Sequence, residues 1–148
     1  MDARTRGRGY PRSVANSRAR DALVGVWRLV RYEDRDREED PWTTPFGERP
    51  IGIGVYDHTG LGSMQVFADP NSHSLETFVA YIGTFIVREA APNAAGFEGV
   101  VEHHMDASSS PDLLSEDSGR PFVVTADKLI LGDGKTWRRV FTRLQGPF

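Results

Sequence analysis

Turn signals cut this chain into short pieces. Asp57-His58-Thr59-Gly60, Asp69-Pro70-Asn71-Ser72, the stretch from Ala90 to Gly96, Ala126-Asp127 and Gly132-Asp133-Gly134 recur along its length. Each carries the Gly, Pro, Asn or Asp that a chain reversal favours. Between and before them stand runs rich in β-branched and aromatic residues, at 23–32, 51–58, 62–68, 79–87, 97–107, 120–125, 128–131 and 136–144. Such residues fit a pleated, half-buried strand. Most connections are short and no helices alternate with the strands. The longest, 33–50, is a charged run, Glu33 to Asp40, followed by Pro41, Pro45 and Pro50, which keep it irregular. Only 74–78, with Ser72 or Ser74 as its cap, reads as a short helix. The expected fold is all-β: an antiparallel up-and-down meander of eight strands closed into a barrel. Eight strands enclose room for packed side chains or one small ligand. Closure also removes the sheet edges that invite aggregation.

The chain has 148 residues, of which 39% are hydrophobic, enough to bury the core of one domain. No apolar run approaches ~20 residues, so no helical membrane span is expected. The charge is unevenly spread. Arg4, Arg6, Arg8, Arg12, Arg18 and Arg20 stand against Asp2, so residues 1–20 carry a formal +5; with −3 overall, the remainder carries −8. A basic tail on an acidic body suits nucleic acid in some proteins. Here the arginines are interleaved with one aromatic residue, Tyr10, and no binding fold accompanies them, so no nucleic-acid partner is expected. The segment lacks the apolar stretch of a secretory signal. It reads as a disordered basic leader, 1–20, ahead of a barrel domain over 21–148, in a cytoplasmic protein.

Several chemistries have no sequence support. Cysteine is absent, which removes disulfides, thiolate metal sites and cysteine nucleophiles. No GxGxxG, P-loop, G-x-S-x-G or HExxH pattern occurs. No cofactor and no metal are expected.

The candidate chemistry sits on strands. His103 and His104 are adjacent, so they point to opposite faces and cannot chelate one ion. Phe97, Val101 and Met105 share a face with His103, whereas Glu98, Glu102 and Asp106 share one with His104. His103 therefore faces the barrel interior, either as a satisfied core histidine or as an acid/base and hydrogen-bonding group with a pKa near neutrality. Tyr81 shares its face with Gly83, and Tyr56 with Gly52 and Gly54. Faces thinned by glycine offer cavity volume, with a phenol as the polar handle; the alternatives are simple packing, a bulge or a close crossing. Met64, Phe67, Phe85, Met105 and Trp137 are candidates to line a substrate pocket. Trp42, set among Pro41, Pro45 and Pro50, suits a lid, a rim or the anchor of a homodimer.

Gly25-Val26-Trp27 at the head of the first strand has the G-x-W form of lipocalins. Together with Leu23 to Val30, the Gly52–Tyr56 strand and its Gly60 turn, Ala80 to Phe85, and Val101-Glu102-His103-His104, it resembles the lipocalin-like domain family of small microbial proteins over most of residues 22–144. The resemblance implies a ligand-holding barrel. It also implies that one arginine of the last strand, among Arg138, Arg139 and Arg143, packs across Trp27 at the closed end. It names no single reaction, although some members belong to natural-product pathways.

Two functions fit. The first is a cofactor-free cyclase or isomerase, including a pericyclic one, that folds a polyketide- or terpenoid-like substrate in the cavity. His103, Tyr81 and Tyr56 would supply its hydrogen bonds. The second is a non-catalytic carrier of an apolar small molecule.

Overall fold

The computed structural model describes residues 14–73, 77–114 and 119–146. Eight strands follow one another around a closed barrel: β1 (Gly25–Asp34), β2 (Ile51–Tyr56), β3 (Leu61–Phe67), β4 (Phe78–Pro92), β5 (Gly96–Ser108), β6 (Gly119–Thr125), β7 (Lys128–Leu131) and β8 (Trp137–Arg143). Every strand pairs antiparallel with its sequence neighbours, and β8 closes on β1 through Trp27↔Arg143 and Leu29↔Phe141. The barrel and all eight strands match the sequence expectation. The largest difference in length is β4, which runs on to Pro92. The turn then shrinks to three residues, where Asn93 Oδ1 accepts from the amides of Ala95 and Gly96 at 3.2 and 2.8 Å. Of the helix expected over 74–78, residues 74–76 lie outside the described ones and Phe78 opens β4. A single 3-10 turn, Pro111–Leu114, interrupts the loop after β5.

Two tight turns follow from their acids. Asp57 Oδ1 accepts from the amides of Thr59 and Leu61, and Gly60 takes φ 100°. Asp133 Oδ1 accepts from the amides of Lys135 and Thr136 at 2.7 Å each and of Trp137 at 3.1 Å, between Gly132 and Gly134 at φ 134° and 72°. Side-chain acceptors at this spacing are what makes Asp a turn residue.

The barrel has a floor and a mouth. The floor is closed by Trp27, which is fully buried. Its indole N–H donates to the Leu23 carbonyl at 2.9 Å, and the Arg143 guanidinium lies 4.2 Å from its ring centroid. Arg143 also donates to the carbonyls of Ala22, Val24 and Ala126 at 2.8–3.0 Å. Ala22 belongs to the last turn of a helix, α1, over residues 14–23, and Val24 directly follows it. Helix ends leave carbonyls without partners, and a cation there satisfies both bonding and dipole.

α1 corrects the leader boundary. Residues 14–20 are helical rather than disordered, and Ala19 and Leu23 are fully buried in the core. Asn16 accepts from the Ala90 amide at 2.9 Å, and Arg20 donates to the His58 carbonyl at 3.0 Å. The physical reason is a small apolar stripe, Ala15, Ala19, Ala22 and Leu23, at helical spacing. The arginines obscure it. Residues 1–13 lie outside the described ones. Among the described residues no helix is long and apolar enough to cross a membrane.

Candidate functional site

The mouth half of the barrel holds a cavity of about 460 Å³. Inward positions of successive strands build it: Leu29 on β1, Met64 and Val66 on β3, Val79 and Tyr81 on β4, Arg120 on β6, Leu131 on β7, and Trp137, Arg139 and Phe141 on β8. β1 supplies two more residues, Tyr32 and Asp34, because its pairing with β8 slips between Leu29 and Arg31. A bulge of this kind reverses which face a residue meets.

Beneath the wall of this cavity, the three expected catalytic residues come together. His103 is buried, and its two ring nitrogens meet two phenols. Nε2 stands 2.7 Å from the Tyr56 hydroxyl, and Nδ1 stands 3.2 Å from the Tyr81 hydroxyl. Strand pairing explains the meeting. Tyr56 ends β2, Tyr81 lies near the start of β4, and His103 pairs across β5 with Phe85, one inward step below Gly83. Tyr81 is the member that lines the cavity.

The order of protons in this triplet follows from burial. Loss of water disfavours the charged ring, and with a smaller push from Arg120 it takes the His103 pKa down to about 3. The ring is therefore neutral at pH 7, with one N–H and one lone pair. Tyr56 is fully buried and has His103 as its hydrogen-bond partner. Were Nε2 protonated, the Tyr56 proton would be left in the core without an acceptor, which costs about 1–3 kcal/mol. Tyr56 therefore donates to Nε2, and Nδ1–H donates to the Tyr81 oxygen. That leaves the Tyr81 proton uncommitted within the triplet. Burial raises the Tyr81 pKa to about 12, against the lowering effect of Arg120 and Arg139, and burial also raises Tyr56 well above its ordinary value. Both phenols stay protonated. The expected His103 pKa near neutrality is not met: burial takes it down to about 3 and leaves a neutral ring between the two phenols.

The glycines act by close approach. A Cβ on Gly83 would collide with the His104 carbonyl, so Gly83 serves the β4–β5 crossing rather than leaving room beside Tyr81. A Cβ on Gly52 would stand 2.7 Å from the Gln65 carbonyl oxygen and 3.0 Å from Leu29 Cδ2, and one on Gly54 2.9 Å from Met64 Sδ. Leu29 and Met64 occupy the space the glycines leave and become the cavity base.

Of the expected pocket residues, Met64 and Trp137 line the cavity. Phe67 does not. It is three residues from Met64, so the two fall on opposite faces, and its ring packs outside against Phe78 at 4.9 Å. Phe85 points inward but lies at the floor, edge-on to Tyr56 at 4.8 Å. Met105 pairs with Gly83 where the register slips and is half-buried away from the cavity. Trp42 is clamped between Arg35 and Arg138, whose guanidiniums lie 3.9 and 4.2 Å from its ring centroid. This holds the β1–β2 loop to the mouth of β8.

Two cavity cations escaped the sequence reading as site residues. Arg139 Nη1 donates to the Glu33 carbonyl at 2.9 Å, to Asp34 Oδ1 at 2.7 Å and to the Arg138 carbonyl at 3.2 Å; the guanidinium lies 3.4 Å from the Tyr32 ring centroid. Arg120 lies 5.7 Å from the Tyr81 ring centroid. Strand alternation carries the signal: Arg120 shares a face with Phe122 and Val124, and Arg139 shares one with Trp137 and Phe141. Among the described residues, no group of three His, Asp or Glu could hold a metal ion.

No protein-family model, no curated protein and no solved structure matches the chain.

Proposed function

We propose that this protein is a cytoplasmic enzyme of natural-product biosynthesis that folds a bulky, mostly apolar polyketide- or terpenoid-like substrate in the barrel and promotes its cyclisation or isomerisation. The observation that carries this reading is the Tyr81 hydroxyl at the cavity wall, backed by His103 and Tyr56. A carrier has no need of a buried donor chain aimed at its cargo.

A substrate carbonyl at the wall accepts the Tyr81 O–H. As bonds reorganise along the folded chain, electron density grows on that oxygen, and the hydrogen bond strengthens with it. A donor fixed before the reaction costs no reorganisation during it; one such donor stabilises a transition state by about 2.7–4 kcal/mol in well-studied cases. The His103 Nδ1–H holds the Tyr81 oxygen and polarises its proton outward. Apolar walls hold the reactive conformer, an entropic contribution. No proton needs to leave Tyr81, in keeping with its high pKa. The same reading places the chain among lipocalin-like barrels, supported by the Trp27–Arg143 pair at the closed end.

Incubation with linear polyene ketones of graded length tests the function. An isomeric product, formed faster with protein and slowed at least tenfold by Tyr81→Phe, supports it. Recovery of every ketone unchanged, though bound, replaces the enzyme with a carrier.

A further inference from the structure

The cavity is apolar at its base and cationic at its mouth. Among the described residues that line it are two cations, Arg120 and Arg139, and one acid, Asp34. Asp34 engages Nη1 of Arg139, as do the two backbone carbonyls that this guanidinium meets. Among the described residues the opposite edge of the fork, Nε and Nη2, has no hydrogen-bond partner, and the side chain keeps 17% of its surface exposed. That edge carries two parallel N–H donors, the geometry that matches two oxygens sharing one negative charge. Both guanidiniums act on the Tyr81 phenol, so the cations and the cavity-facing hydroxyl occupy one neighbourhood.

We propose that the cavity takes an amphipathic substrate whose apolar chain lies on Leu29, Met64 and Phe141 and whose carboxylate head is held by Arg139 and Arg120 at the mouth. This rests on the reading of the cavity as the substrate site. The head is an anchor. It fixes how deep the chain descends and so which of its atoms meets the Tyr81 hydroxyl. Away from bulk water an ion pair of this kind also discriminates strongly between a charged head and its neutral ester.

Fluorescence titration of the full chain with cis-parinaric acid and with its methyl ester tests the anchor. A Val79→Trp variant, which fills the cavity, serves as the control for site. The acid is expected to bind at least tenfold more tightly than the ester. Arg139→Gln and Arg120→Gln should each bring the acid toward the ester's affinity, and raising salt should weaken the acid alone. The acid-to-ester ratio of the unaltered protein needs no variant to fold. Equal binding of acid and ester, both lost in Val79→Trp, overturns the anchor and leaves the cavity reading standing. Binding of neither probe, or binding indifferent to Val79→Trp, overturns both.

Discussion

Tyr56 and His103 are joined by a 2.7 Å hydrogen bond in the buried centre of the barrel, and the direction of that bond sets the direction of the next. Because Tyr56 has no other acceptor for its proton among the described residues, His103 presents N–H toward Tyr81, whose own proton is then uncommitted within the triplet. The position of one buried proton thus decides whether the cavity offers a donor or an acceptor.

Nitrogen NMR of the His103 ring reads this order directly. The expected spectrum has Nδ1 protonated and Nε2 bare at pH 7. The opposite tautomer would remove the donor from the cavity wall. Tyr56→Phe should let the ring change tautomer and should cost about 1–3 kcal/mol in urea unfolding, since it strips a buried nitrogen of its partner.

Acid should destabilise the fold through the same ring. The His103 pKa is near 3 when folded and near its ordinary 6.5 when unfolded. Between those values the unfolded chain binds a proton that the folded chain refuses, so stability falls as pH falls from about 6.5 toward 3. The full contribution is present above the unfolded value. Within the window the slope reaches ~1.4 kcal/mol per pH unit. Urea midpoints measured from pH 7 to pH 4.5 should drop more steeply in the native protein than in His103→Gln. Parallel slopes would mean that the folded ring titrates normally.

How far the site could be read from the residues depends on how regular each strand is. β5 alternates without interruption from Phe97 to Met105, before the slip beyond Met105, and counting by two put the His103 ring inside. The same rule, applied to Met64 and Phe67 together, would have removed Phe67. β1 resists the rule because a bulge between Leu29 and Arg31 re-aims Tyr32 and Asp34. Nothing in the local residues announces that slip. The His103 pKa was equally illegible, because it depends on how completely the closed barrel excludes water. α1 was legible in its alanine spacing, but six arginines in twenty residues pointed to a solvated leader.

If α1 is a structural part of the barrel, its buried and exposed residues should differ sharply in cost. Leu23→Ala should destabilise by about 2–5 kcal/mol, the usual range for a buried leucine. Arg18→Ala, on the exposed side, should stay within about 0.5 kcal/mol. Arg143→Ala removes the cation over Trp27 and the partner of three carbonyls, and about 2–4 kcal/mol should be lost. Thermal unfolding followed by tryptophan fluorescence checks all three. Equal, negligible effects of Leu23→Ala and Arg18→Ala would detach α1 from the core.

The glycines separate backbone crowding from side-chain crowding. At Gly83 an added methyl meets the His104 carbonyl and lies 2.9 Å from the Met105 Cα, both fixed by the β4–β5 ladder. Neither atom can yield without breaking strand pairing. At Gly54 the nearest atoms are Sδ and Cε of Met64, at 2.9 and 3.1 Å, the far end of a flexible side chain that borders the cavity. Met64 can turn into that space at the cost of a rotamer change. Gly83→Ala should therefore cost at least ~3 kcal/mol or prevent folding, and Gly54→Ala about 1 kcal/mol. The Gly54 variant should also bind bulky ligands less well, because Met64 now takes up part of the cavity. Circular dichroism with urea titration gives the stabilities, and titration with an apolar fluorophore gives the lost volume. A Gly54→Ala protein that keeps full affinity would show that Met64 does not bound the occupied space.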